Sequence, residues 1–145
     1  MAAASSLRQN TPCPKRTEMP VPVLTVFLLC AVGFYASAFM ANKARLAARG
    51  ELKEPSVVQT QAARLVGRVP NAVFGLFYYP CVAVAAALPA QLAHWLAMLA
   101  SVLAATMSFA LAYSLLFRTK RPCPYCWTAH AINWLLPILL LIENH

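Results

Sequence analysis

From residue 21 to residue 41 the chain runs for 21 positions without a formal charge. Coiled as an α-helix, such a stretch is ~32 Å long, which matches a bilayer hydrocarbon core of ~30 Å. A helix crossing a membrane is the structure this segment dictates. Residues 71–88, 92–117 and 124–142 repeat the pattern, giving three further spans. Pro70 suits the start of the second, and Pro80 inside it predicts a kink. Leu88-Pro89-Ala90-Gln91 reads as a tight turn, and Arg118-Thr119-Lys120-Arg121-Pro122 as a short basic connection.

The composition supports this reading. Of the 145 residues, 61% are hydrophobic and 11% charged, with a mean hydropathy of +0.61, whereas soluble domains run near ~45–50% apolar and ~25% charged. A disordered chain, a collagen-like chain and a secreted disulfide scaffold are excluded for the whole. The expected fold is all-α: a four-transmembrane-helix bundle over residues 20–145, behind a flexible polar tail at residues 1–19. Ala36-Ser37-Ala38 imitates a signal-peptidase site, but the apolar run before it is longer than the usual ~7–15 residues and the leading polar region is long. The segment is expected to be retained as the first span.

Twelve Lys and Arg against four Asp and Glu leave a net charge of +8. These charges lie outside the apolar segments, so they read as residues meeting anionic headgroups rather than nucleic acid. Residues 42–69 form the one sizeable hydrophilic loop. Within it Val57, Val58, Ala62, Leu65 and Val66 recur at near-helical spacing, which predicts a short amphipathic helix on the bilayer or capping the bundle; an ordinary surface helix fits equally.

Span alternation places the 42–69 loop and the 118–122 connection on one face, and the N-terminus, the 88–91 turn and the C-terminus on the other. Cys123-Pro124-Tyr125-Cys126 therefore opens the fourth helix on the face of the long loop. A C-x-x-C at a helix N-terminus allows a small disulfide ring, and the helix dipole with nearby Arg118, Lys120 and Arg121 favours the reactive thiolate. Trp127 occupies the position where c-type haem attachment needs histidine. A zinc site recruiting His130 lacks an evident fourth ligand, so no metal is expected, and an inert pair is the plain alternative. Cys30 and Cys81 read as small buried hydrophobes.

A dithiol at a bilayer surface needs an acceptor for two electrons, and a lipid-soluble quinone diffuses in the phase the bundle occupies. Polar residues inside spans are costly and mark function. Asn71 opens the second helix on the cysteine side, Asn133 lies seven residues after Cys126 on one helical face, and His130 lies between them. Asn71 as a helix cap and Asn133 as an interhelical bond are the structural alternatives.

Residues 56–79, with Pro70-Asn71-Ala72-Val73-Phe74-Gly75 leading to Tyr79, and Cys123-Pro124-Tyr125-Cys126 followed by Asn133, resemble the signatures of the vitamin K epoxide reductase family. The resemblance covers roughly residues 20–142. It implies a four-helix bundle around a quinone (menaquinone, ubiquinone or a relative), with Cys126 facing the quinone and Cys123 exchanging with incoming thiols. It also implies quinone contact by Asn71, and sets His130 where vertebrate members carry a tyrosine near the quinone oxygen. Family members usually hold a second cysteine pair in the first loop, whereas residues 42–69 contain none and Pro55 stands where one is expected.

Two functions follow. One is a quinone-linked thiol/disulfide oxidoreductase served by a separate thioredoxin-like protein; the other is a family-derived structural or assembly subunit of a larger membrane complex. The cysteine face holds nine basic residues and the opposite face three, which favours the cytoplasm for the cysteine pair, although most family members place it outside.

Overall fold

The computed structural model describes residues 21–51, 64–66, 69–120 and 123–143. Four helices follow in order: α1 (Val21–Ala48), α2 (Asn71–Ala87), α3 (Gln91–Ser114) and α4 (Pro124–Glu143). Three apolar segments, Val23–Ala48, Gln91–Arg118 and Pro124–Ile142, are long enough to cross a membrane. α2 is apolar and has 17 residues, ~26 Å, at the short end of what spans a bilayer. The expected all-α membrane bundle is the fold the chain adopts. Pro80 removes one backbone donor from α2, yet the helix continues through it to Ala87.

Val26, Tyr79, Val82, Ile132, Leu136 and Leu140 form the core of the bundle, and small residues are buried beside them. Ala36, Ser37, Ala97, Ser101, Ser108 and Ala112 are buried, while Phe77, Leu92, Leu99, Phe109 and Leu116 point outward. Lipid tails are as apolar as leucine, so large side chains gain little by turning inward, whereas small ones let backbones approach. Two glycines show how close that approach is. A Cβ on Gly33 of α1 would lie 2.5 Å from the Tyr79 ring of α2, and one on Gly75 of α2 would collide with the Ser37 hydroxyl of α1. At the far end His94 Nε2 donates to the Leu140 carbonyl at 3.1 Å, tying the start of α3 to the last turn of α4 and satisfying a polar group at membrane depth.

Several boundaries differ from expectation. α1 runs to Ala48 rather than ending at residue 41. It stops where Gly50 adopts φ 75°, with Gly50 N–H bonded to Ala47 O at 3.2 Å and Glu51 N–H to Leu46 O at 3.0 Å. This is a glycine-terminated helix end whose paired bonds satisfy orphan carbonyls. With ~42 Å of helix, α1 overshoots the hydrocarbon and carries Lys43 and Arg45 into the headgroup zone. In the loop, Arg64–Val66 is not helical: it is a strand, β1, paired antiparallel with β2 (Val69–Pro70). The rest of the expected amphipathic stretch, residues 57–63 with 67–68, lies outside the described residues, as does the expected tail at 1–19. α3 closes in a π-helical turn, Leu115–Thr119, ended by Lys120 at φ 49°. Cys30 is buried in the core as expected, but Cys81 faces outward, away from it.

Candidate active site

The α4 N-terminus is built around sulfur. Pro124 holds the first helical position, where its missing N–H is no loss, and Cys123 precedes it as the capping residue. Cys123 Sγ accepts a hydrogen bond from the Cys126 backbone N–H at 3.3 Å. A cap oxygen meets the same backbone donor in serine- or aspartate-capped helices; here a sulfur does, and that donor favours negative charge on it. The helix is fastened laterally by Tyr125, whose ring stacks on Phe39 of α1 at a centroid distance of 4.2 Å.

Cys123 and Cys126 are joined as a disulfide with Cα atoms 5.3 Å apart, the pairing the C-x-x-C spacing allows. The two sulfurs do not share one environment. Cys126 lines a cavity between the helices, whereas Cys123 lies outside its lining and is only 7% exposed. An incoming thiol must therefore uncover Cys123 before it can attack there.

The cavity has a volume of about 340 Å³ and draws its walls from all four helices, within the ~300–1,000 Å³ of small-molecule sites. Asn71, His130 and Asn133 line it together with Cys126. Four of the five residues singled out by sequence thus meet at one place. Among the described residues no Asp, Glu, Lys or Arg lines it, and these residues make an apolar chamber with a few neutral polar groups.

Each polar group is held differently. Pro70 is the N-cap of α2, so Asn71 sits one position inside the helix and is not its cap. Asn133 is spent largely on its neighbours: its Oδ1 accepts from the Tyr79 hydroxyl at 3.0 Å, and its Nδ2 donates to Ser108 Oγ at 2.8 Å. The Tyr79–Asn133–Ser108 chain pins α2, α4 and α3 together at the cavity wall. Beside it the Tyr78 hydroxyl donates to Ser101 Oγ at 3.1 Å. His130 is buried, and its Nδ1 has no hydrogen-bond partner.

Tyr79, Ser108 and Ser37 are cavity residues that sequence reasoning missed. For Tyr79 a signal was present, since it ends the Pro-Asn-Ala-x-x-Gly-x-x-x-Tyr pattern. The structure gives that pattern a mechanical meaning: Gly75 makes room for Ser37, and Tyr79 fills the space over Gly33. Nothing in the sequence marks Ser108 among the other small residues of α3.

A family model described as the vitamin K epoxide reductase family matches residues 24–141, nearly the full length from α1 through α4. A comparison with curated proteins finds no match.

Proposed function

Because this chain belongs to the vitamin K epoxide reductase family, a family of thiol oxidoreductases, we propose that it is a quinone-linked thiol/disulfide oxidoreductase whose working dithiol is Cys123 and Cys126. The observation that carries this reading is the shared cavity: a sulfur of the C-x-x-C pair opens onto the same chamber as Asn71 and His130. An apolar chamber with a few placed polar groups suits a quinone ring, which offers carbonyl acceptors at its rim and apolar faces elsewhere. The buried His130 nitrogen without a partner is a group such a ring would satisfy, since an unmet buried polar atom costs about 1–3 kcal/mol.

When bound, a quinone supplies an acceptor for two electrons and two protons. The chain's own residues do the rest. Asn71 and His130 orient the ring by its oxygens, while Asn133, held by Tyr79 and Ser108, keeps the wall in place. Cys126 presents its sulfur to the cavity. A partner thiol engages Cys123 and releases the Cys126 sulfur toward the cavity; Cys123, stabilised as an anion by the Cys126 N–H, leaves in turn when the partner's second thiol resolves the mixed disulfide.

The partner thiol belongs to a separate thioredoxin-like protein or to a membrane complex, as the loop without cysteines requires. The test is reduction of added menaquinone or ubiquinone by purified protein in nanodiscs, driven by a small dithiol and followed by the quinone absorbance. Turnover abolished by Cys126→Ala supports the reading. Absence of turnover with every quinone tried favours the alternative, a structural or assembly subunit.

A further inference from the structure

The cavity wall carries one imidazole, that of His130, on the same helix as the Cys126 sulfur. His130 follows Cys126 by four positions on α4, which sets their Cβ atoms ~5–6 Å apart on one face. Both line the chamber. His130 is 8% exposed and its Nδ1 meets no hydrogen-bond partner.

Among the described residues it has no competitor in the cavity lining. From α1 the lining residues are Ala36, Ser37 and Met40, and α3 offers no ionisable group. α2 contributes Tyr78 and Tyr79, whose hydroxyls donate to Ser101 and Asn133. α4 adds Tyr125, stacked on Phe39. The other neighbours of the imidazole on its own helix are Trp127, edge-on, and Trp134, stacked, and neither carries charge. A thiol must lose its proton to react, and among the described residues no carboxylate lines the chamber to take it.

We propose that His130 is a catalytic proton carrier: it accepts the proton of the Cys126 thiol and delivers it to an oxygen of the carbonyl ligand in the cavity. This rests on the quinone reading above and deepens it. For the reduced enzyme the balance is complete. Two S–H bonds break and one S–S bond forms between Cys123 and Cys126. Two electrons pass from the sulfurs to the ligand, and the two thiol protons follow. His130 carries the Cys126 proton first and, neutral again, relays the one released from Cys123 as the S–S bond closes. A tyrosine in place of His130 can donate a hydrogen bond to the ligand oxygen but cannot cycle a proton at neutral pH.

The test begins without any quinone. Full-length reduced protein in nanodiscs is alkylated with iodoacetamide across pH, and Cys126 is resolved from Cys123 by tandem mass spectrometry. At about pH 6.5, unmutated Cys126 is expected to react at least about ten-fold faster than in His130→Gln or His130→Tyr, the gap closing at about pH 9.5; one unit of thiol titration is ten-fold in thiolate. With menadione as probe, His130→Tyr should recover KM relative to His130→Gln while kcat stays low in both. Superimposable alkylation profiles overturn the proposal, whether or not menadione is reduced. A shifted profile with no menadione reduction in the unmutated protein overturns ligand delivery together with the quinone reading, and leaves the thiol–imidazole pair standing.

Discussion

Cys123 and Cys126 differ by their surroundings more than by their chemistry. Cys126 opens on the cavity, and Cys123 is covered and bonded to a backbone N–H. Alkylation with and without reductant is expected to show two extra labels in the peptide that holds them; free alkylation of both under oxidising conditions would remove the basis of the enzyme reading. Cys123→Ala should leave Cys126 as a free thiol at the cavity, able to meet quinone once but not to turn over. Asn71→Ala should raise KM for quinone several-fold without lowering the amount of folded protein, since Pro70 rather than Asn71 caps α2; unchanged kinetics would strip Asn71 of its role. Cys126 was legible from the C-x-x-C spacing, and Asn71, His130 and Asn133 because a polar residue in an apolar span stands out by its cost. Ser108 was not, because serine is cheap there and packs like alanine. Which of the polar groups were spent on each other was also beyond reach, since Tyr79 and Asn133 are 54 positions apart.

At the scale of elements, hydropathy marks where lipid ends and not where a helix ends. That is why α1 outruns its charge-free stretch by seven residues, to stop only at Gly50. The loop shows the opposite failure: near-helical spacing around Leu65 and Val66 yields to strand pairing with Val69–Pro70, a contact that no local period contains. Pairing across helices carries its own prediction. Tyr79→Phe deletes the donor to Asn133 and should cost about 0.5–2 kcal/mol, the range for interhelical bonds in membranes. The matching Ser108→Ala variant should be non-additive with it, because both act through Asn133. Additive losses in a double-mutant unfolding cycle would mean that the three side chains do not form one chain. The basic loop is expected to bear on exchange rather than on stability. Neutralising Arg64 and Arg68 should slow reaction with a protein partner and steepen its salt dependence, while small-dithiol turnover stays nearly constant. An equal fall in both would place the loop within the quinone site.

For the whole molecule the charge distribution predicts a direction in the membrane, which labelling can test. Span alternation assigns nine Lys and Arg to the face of the cysteine pair and three to the other. Among them Lys43, Arg45, Arg49, Arg118 and Lys120 close or follow α1 and α3 at the same end of the bundle. Short loops of this kind obey the positive-inside bias, in which lysine and arginine are retained on the cytoplasmic side. Placed there, Cys123 and Cys126 would face a pool that keeps thiols reduced, so a quinone would draw electrons from cytoplasmic thiols instead of making disulfides for export. Orientation would thus set which pool of thiols the proposed reaction draws on. It can be read in bacterial cells with a membrane-impermeant maleimide, using Cys13 on one face and a Lys53→Cys reporter on the other. Labelling of Cys13 from outside, with the residue-53 reporter reached only after lysis, is the expected result. The reverse pattern would set the cysteine pair outside the cytoplasm, and the partner to be sought would then be an exported thiol protein.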